Sequence, residues 1–299
     1  MRTTLIWGAN TGVGKTLVSA GLMRAAAARA HALYLKPVQT GCPEDSDGRH
    51  VAQLAGGLPH MVGPHAAATD LQGSEAVSSS SSHARTLFAW RQPVSPDLAA
   101  LREGRPVDDV ELLASTRAAV AAFCTDSHVD TAIGLIETAG GVASPAPSGS
   151  LQCDALRPLA ASSPSLLVGD GKLGGISQTI CAFESLASRG FEVGPLVLLS
   201  GSGRTADRDG SNAGHLRNAD ALRAHFGNLP VFELPLPPAR EEPTSADASA
   251  GHDLAEWMEE TSDAFNTILD AIQTVHELRE STGAAPEMLA MPRNQIGAA

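Results

Sequence analysis

Short apolar runs alternate along the chain with longer amphipathic or alanine-rich stretches. The apolar runs predict strands at 3–7, 32–35, 131–137, 165–169, 193–199 and 230–234. Most are continuous rather than alternating, which is typical of strands buried on both faces of a parallel sheet. The other stretches predict helices at 15–30, 107–124, 176–189, 213–225 and 252–279. This order predicts an α/β fold, with a doubly wound, mostly parallel sheet flanked by helices and ligands at the carboxyl ends of its strands.

We expect a single domain over residues 1–282. Two segments, near 56–86 and 201–212, have no clear period and are rich in serine, glycine or charge, and they predict loose insertions. Residues 283–299 are small and polar and are expected to be a disordered tail or a linker remnant.

Composition limits the class of protein. With 299 residues and 43% hydrophobic content, the chain can bury a sizeable core. Its net charge of −12 argues against a nucleic-acid or membrane partner. The four cysteines form no close pair, which disfavours a disulfide framework or a zinc site. The first predicted strand begins two residues after Met1, so we expect a cytoplasmic protein, or a mitochondrial one if a leader has been removed.

Residues 8–16 read Gly-Ala-Asn-Thr-Gly-Val-Gly-Lys-Thr directly after the first predicted strand. A glycine-rich loop that ends in Gly-Lys-Thr and opens a helix is typical of a phosphate-binding P-loop, although the usual spacing has one residue fewer between Gly8 and Gly14. The alternative is an ordinary glycine-rich turn. The motif predicts a P-loop NTPase-like fold, Lys15 on the β- and γ-phosphates of ATP, and Thr16 on Mg²⁺. The predicted nucleotide contacts are Gly12, Val13, Gly14, Lys15, Thr16 and Leu17.

Three further groups follow predicted strands. Lys36 ends the second strand and points toward the expected site, unless it is a solvated lysine entering a turn. The acidic cluster at 44–47 offers oxygen ligands for Mg²⁺, although such loops are usually only solvated. Glu137 ends a buried apolar strand and resembles a Walker B carboxylate. A buried glutamate without a partner is costly, which favours a functional role for this side chain.

A second glycine-rich turn follows the strand at 165–169. Gly174, Gly175 and Ile176 open the next predicted helix, whose exposed N–H groups suit a carboxylate or phosphate. The alternative is a turn needed only for topology.

Taken in order, these motifs resemble the dethiobiotin synthetase family. The resemblance rests on the five-residue P-loop spacing, Lys-Pro-Val at 36–38, an Asp matching Asp47, Pro-Val-Ser-Pro at 93–96, Glu-Gly-Arg-Pro at 103–106, Glu-Thr-Ala-Gly-Gly at 137–141 and Lys-Leu-Gly-Gly-Ile at 172–176. It covers residues 1 to about 240. The sequence at 140–154 is similar to that of eukaryotic bifunctional members, in which an aminotransferase domain follows the synthetase domain.

The resemblance implies an ATP-dependent cyclo-ligase of biotin biosynthesis. Such an enzyme converts 7,8-diaminononanoate and CO₂ to dethiobiotin through a carbamate that the γ-phosphoryl group of ATP activates. It assigns Lys15, Lys36, Thr11 and Thr40 to catalysis, and Thr16, Asp47 and Glu137 to Mg²⁺. Substrate contacts are expected from Lys36, Thr40, Gly140, Gly141, Gly174, Gly175 and Ile176, the last three acting across a homodimer interface. An association with the diaminononanoate aminotransferase is also implied.

The chain departs from the family at three places. Gly12 stands where bacterial members often carry an acidic residue. The strand near 198–202 ends without the Asn that reads adenine, and the segment at 203–212 looks inserted. Two alternatives therefore remain: a deviant-P-loop switch ATPase, which would need a signature lysine absent at Ala9 and Asn10, and a catalytically silent docking domain.

Overall fold

A parallel sheet organises the part of the chain that the structure describes. The computed structural model describes residues 1–63, 82–126, 132–200, 217–238 and 249–282. Its strands are β1 Arg2–Gly8, β2 His31–Gln39, β3 His60–Val62, β4 His83–Ala89, β5 Ala132–Glu137, β6 Ser165–Val168, β7 Val193–Ser200 and β8 Val231–Pro235. They form one eight-stranded sheet in the order β3-β4-β2-β5-β1-β6-β7-β8, and every pairing is parallel. The fold class expected from the apolar runs is confirmed.

Helices cover both faces of this sheet. They are α1 Lys15–Ala27, α2 Asp47–Leu54, α3 Pro96–Arg102, α4 Asp109–Asp126, α5 Gln152–Ala155, α6 Gly175–Ala187, α7 Asn218–Phe226, α8 Ser249–Glu260 and α9 Ser262–Thr282, with a 3₁₀ turn at Arg157–Leu159. One face packs against α4, α6 and α7 through side chains such as Phe123 and Leu222. The other packs against α1, α2 and α9 through side chains such as Val18, Val51 and Phe265. Among the described helices, none combines the length and the apolar character needed to cross a bilayer.

The described part of the sheet contains two strands, β3 and β4, that the apolar runs do not predict. At the two ends of the stretch near 56–86, expected as a loose insertion, the structure has β3 and the start of β4 at the sheet edge, while residues 64–81 lie outside the described residues. The stretch was misread because β4 begins His83-Ala84-Arg85-Thr86, where polar residues interrupt the apolar run. The segment at 201–212 and the tail at 283–299 lie outside the described residues.

Two helical expectations also differ from the structure. The predicted helix at 252–279 is two helices, α8 and α9, which Thr261 separates. Its hydroxyl donates to the carbonyl of Trp257 at 2.7 Å, inside a buried contact. The short helix α2 begins at Asp47, the last residue of the acidic stretch that the sequence predicts as a metal-binding loop, and the Ser46 hydroxyl caps it by accepting from the N–H of Arg49.

Protonation of the buried His276 should lower the unfolding free energy in acid. This α9 side chain is 6% exposed, and its Nε2 lies 3.1 Å from the Thr4 hydroxyl of β1. Burial, followed by the charges of Arg2 and Arg279, lowers its pKa to about 4 from 6.5. Because the unfolded chain takes up the proton first, the neutral form stabilises the fold above pH 6.5. As pH falls from 6.5 to 4, about 3 kcal/mol of unfolding free energy should be lost.

Urea unfolding of His276→Gln across this pH range tests the expectation. The variant should show a flatter pH dependence than the unaltered chain, because glutamine takes up no proton. His225→Gln changes an exposed side chain on α7 and serves as the control. An unchanged slope in His276→Gln would show that other groups cause the acid sensitivity.

Candidate active site

The loop after β1 is built from backbone groups fixed by neighbouring strands. The Ala9 N–H donates to the carbonyl of Val168 at 2.8 Å, and the Val142 N–H donates to the carbonyl of Gly8 at 3.0 Å. Gly14 ends the loop with φ +95°, and a Cβ there would lie 2.1 Å from Cδ1 of Leu199. Both the positive φ and this approach require glycine directly before α1. The loop therefore opens onto a helix N-terminus, the arrangement that binds phosphate.

Lys15 begins α1 and folds back over this loop. Its Nζ donates to the carbonyl of Gly140 at 2.6 Å and lies 3.5 Å from the carbonyl of Asn10. Gly140 has φ +67°, and a Cβ at Gly141 would lie 3.4 Å from the Ala9 carbonyl oxygen. The two glycines after β5 thus lie directly against the P-loop, and Lys15 joins the two loops.

Lys36 is the centre of a buried ion cluster. Its side chain is 2% exposed, and its Nζ lies 2.7 Å from Oδ2 of Asp47 and 2.8 Å from Oε1 of Glu137. A third contact, at 3.2 Å, joins it to the carbonyl of Thr138. The register explains the meeting, because Leu35 of β2 is paired with Ile136 of β5 and the two charged residues follow directly. The solvated-lysine alternative is wrong, since all three ammonium protons are engaged inside the protein.

Asp47 connects this cluster to the P-loop. The Ser46 cap places Asp47 in the first turn of α2, and its Oδ1 accepts a hydrogen bond from the Thr16 hydroxyl at 2.9 Å. Its N–H donates to the side-chain carbonyl of Gln39 at 3.1 Å. Of the predicted acidic cluster, Glu44 and Asp45 have exposed side chains, and only Asp47 joins the site.

The predicted metal ligands form a set of hard oxygen donors. Thr16 and Asp47 are in contact, and Lys36 bridges Asp47 to Glu137. Among the described residues, no group of three or more His, Cys, Asp or Glu side chains could hold a metal by itself. A hydroxyl and two carboxylates fit Mg²⁺, which commonly takes one or two protein carboxylates and completes its shell with phosphate oxygens and water.

Opposite electrostatic environments distinguish the two lysines. Burial, followed by the charge of Lys36, lowers the pKa of Lys15 to about 8. Burial also disfavours the charged form of Lys36, but Asp47 and Glu137 outweigh it and raise the pKa of Lys36 above its ordinary value. Burial would raise the pKa of Asp47, yet the charge and hydrogen bond of Lys36 hold it below the ordinary value. Lys36 is therefore a fixed cation, whereas Lys15 forms no ion pair with a carboxylate in the described part of the chain and is suited to an incoming anion.

Sequence reasoning missed Gln152, which clamps the loop after β5. This α5 side chain is 1% exposed; its Oε1 accepts from the Ala139 N–H at 3.0 Å and its Nε2 donates to the Ala139 carbonyl at 2.6 Å. A further contact at 3.3 Å joins Nε2 to the carbonyl of Pro145. Because the contact is made to backbone atoms across a turn, no residue pattern signals it. It supports the Gly140 carbonyl that Lys15 contacts.

The remaining predicted residues surround this centre less closely. Thr11 lies in the P-loop and is exposed, and Thr40 directly follows β2 and is half-buried. Gly174, Gly175 and Ile176 begin α6, and Asn10 of the P-loop donates to Gln178 of that helix at 3.1 Å. Since β6 lies on the opposite side of β1 from β5 and β2, the P-loop separates this turn from Lys36. Its predicted contact with substrate stays a prediction.

Comparison with known proteins agrees with this geometry. A family model described as an AAA domain matches residues 2–239. The mitochondrial bifunctional dethiobiotin synthetase/7,8-diamino-pelargonic acid aminotransferase of Oryza sativa subsp. japonica is 40% identical over 92% of this chain, and its counterpart in Arabidopsis thaliana is 34% identical over 90%. The chain spans 34% of the length of each of these plant relatives.

A bacterial relative is matched over most of its own length. The ATP-dependent dethiobiotin synthetase BioD of Phenylobacterium zucineum (strain HLK1) is 30% identical, and the alignment covers 79% of this chain and 89% of that protein. The same residues that form the P-loop and the buried lysine cluster carry the motif resemblance described above. The chain belongs to the dethiobiotin synthetase family.

Proposed function

We propose that the chain is a dethiobiotin synthetase, which uses ATP to close the ureido ring of dethiobiotin from 7,8-diaminononanoate and CO₂. The observation that carries the proposal is the meeting of two lysines beside one P-loop. Lys36 is held by Asp47 and Glu137 and contacts the carbonyl of Thr138, and Lys15 contacts the carbonyl of Gly140 in the same loop after β5. A reaction that joins a triphosphate to a second anion needs two cations in this arrangement.

The proposed reaction begins with a carbamate formed from CO₂ and the N7 amine of the diamine. A carbamate oxygen attacks the γ-phosphorus of ATP, and the bond to the β,γ-bridging oxygen breaks to release ADP. The N8 amine then attacks the carbamoyl carbon, phosphate leaves, and the ring closes as the amine loses its proton. No oxidant or reductant is needed.

The chain's residues act by positioning and charge. The P-loop N–H groups and Lys15 bind the β- and γ-phosphates, so that the γ-phosphorus faces the carbamate. Lys36 neutralises the carbamate and the transferring phosphoryl group, while Thr11 and Thr40 donate hydroxyl hydrogen bonds to their oxygens. When bound through Thr16, Asp47 and Glu137, Mg²⁺ would offset phosphate charge.

Two partners and a compartment belong to the same proposal. The proposal includes a homodimer whose interface covers the turn before α6, where Leu173 is 86% exposed directly before Gly174. The bifunctional names of the plant relatives support association with a diaminononanoate aminotransferase. Their mitochondrial descriptions support the mitochondrial location over the cytoplasmic one.

Phosphate release measured with and without the diamine tests the function. The chain, supplied with ATP, Mg²⁺ and bicarbonate, should release phosphate only when 7,8-diaminononanoate is added, and mass spectrometry should detect dethiobiotin in equal amount. Release that does not depend on the diamine would favour a switch ATPase. Nucleotide binding without turnover would favour a silent docking domain.

A further inference from the structure

Glu137 is anchored through one of its two carboxylate oxygens. Its side chain is 0% exposed, and Oε2 accepts hydrogen bonds from the Ser19 hydroxyl at 2.5 Å and from the Tyr34 hydroxyl at 3.1 Å. Oε1 points the other way and accepts from Lys36 at 2.8 Å. The carboxylate therefore has an anchored oxygen and a second oxygen that faces the site.

Three structural elements bring these groups together. Tyr34 lies two residues before Lys36 on β2, so both side chains project from the same face of the sheet. Ser19 lies four residues after Lys15 on α1, one helical turn along the side that packs on this face. Both side chains are 0% exposed. Apolar residues of similar size would pack in these positions, so the hydroxyls have a role beyond filling volume.

The two hydroxyls donate to Glu137 in a part of the site that is fully buried. A buried hydroxyl without a partner is costly, so each O–H is directed at Oε2. Two donors converging on one oxygen restrict rotation of the carboxylate and fix which oxygen faces the nucleotide.

We infer that Ser19 and Tyr34 are positioning residues, which hold Oε2 of Glu137 so that Oε1 is presented to Lys36 and to the Mg²⁺–nucleotide. The expected effect on kcat rests on the proposed function, whereas the expected effect on Mg²⁺-dependent ADP binding does not. Partners that orient a metal-binding carboxylate commonly affect metal affinity or activity by about ten- to a hundredfold when removed. Because both act on one oxygen, their effects should not add in the double variant.

Binding and turnover of the substituted chains provide the first test. Ser19→Ala and Tyr34→Phe should each weaken Mg²⁺-dependent ADP binding by about tenfold or more and lower kcat, while ADP binding in EDTA changes little. The matched control is Ser165→Ala. It removes a buried hydroxyl of β6 that accepts a hydrogen bond from Trp7 Nε1 at 3.1 Å. If both variants match this control in Mg²⁺ dependence, the inference is wrong.

A spectroscopic test needs no substitution. Tyr34 is the only tyrosine of the chain, so the tyrosine doublet in the ultraviolet resonance Raman spectrum reports on its hydroxyl alone. Addition of Mg²⁺ with ADP should shift this doublet, whereas ADP with EDTA should not. An unshifted doublet overturns the inference even if the variants fail to fold. A shifted doublet in a chain without diamine-dependent turnover would support positioning while rejecting the proposed reaction.

Discussion

Replacing Lys36 with methionine is expected to slow ring closure strongly and to destabilise the fold at the same time. Methionine keeps most of the side-chain volume but leaves the carboxylates of Asp47 and Glu137 facing each other in a buried site. Breaking a buried ion pair in this way costs about 3–5 kcal/mol of unfolding free energy. Loss of a fixed cation at the transferring group should lower kcat by about a hundred- to thousandfold.

Urea unfolding and diamine-dependent phosphate release measure the two effects separately. Arg24→Met is the control, since it removes an exposed cation that contacts Glu259 at 2.7 Å and should change stability by less than about 1 kcal/mol. The double variant Lys36→Met with Asp47→Asn should regain part of the lost stability, because one unpaired carboxylate is removed. Full stability in the Lys36→Met single variant would contradict the ion cluster. The sequence alone suggests that Lys36 acts only on substrate; its buried contacts add this structural role.

Replacing Lys15 with methionine should have the opposite effect on stability. In the absence of nucleotide, burial and the charge of Lys36 disfavour the Lys15 cation, and its pKa falls to about 8. The charged form therefore costs the folded state about 1–3 kcal/mol below pH 8. Methionine should recover this free energy at pH 7, and the gain should shrink as pH rises from 8 toward 10. Affinity for Mg²⁺–ADP should nevertheless fall by about a hundredfold or more, because the phosphates lose a buried cation.

Titration calorimetry with Mg²⁺–ADP and urea unfolding at pH 7 and 9.5 test this expectation. Arg29→Met removes an exposed cation of the same face, which pairs with Asp270, and should leave nucleotide affinity unchanged. If Lys15→Met destabilises the chain at pH 7, then the carbonyl of Gly140 stabilises the ammonium more than burial disfavours it. A loss of unfolding free energy in Lys36→Met together with a gain in Lys15→Met would show that Lys36 stabilises the fold, whereas Lys15 serves ligand binding.

Local sequence patterns predicted most of the sheet but not the edge formed by β3 and β4. β1, β5 and β6 are continuous apolar runs because helices cover both of their faces. β4 was missed because His83 and Thr86 are polar yet buried, at 4% and 0% exposure, beneath neighbouring elements. The break at Thr261 was missed because the apolar period continues across it. Polar residues that tertiary packing buries carry no signal in the hydrophobic pattern.

The candidate site divides in the same way. Motif spacing predicted Lys15, Thr16, Lys36 and Glu137, which the structure brings together around the P-loop, because backbone loops and strand ends impose that spacing locally. It did not identify Ser19, Tyr34 or Gln152, whose roles depend on how α1, β2 and the loop after β5 pack together. Their partners lie 118, 103 and 13 residues away along the chain. Only the three-dimensional structure brings such pairs into contact.

The position of β5 has a consequence for how the protein folds during synthesis. β1 and β2 leave the ribosome first, yet they are not neighbours, because β5 lies between them and pairs with both. Until residues 132–137 are available, no ladder joins β1, which the P-loop and Lys15 follow, to β2, which carries Lys36. Insertion of β5 is then the step that joins the two halves of the sheet and drives burial of the Lys36 ammonium, because the same strand delivers Glu137. Assembly of the site and closure of the central sheet are thus one non-local folding event.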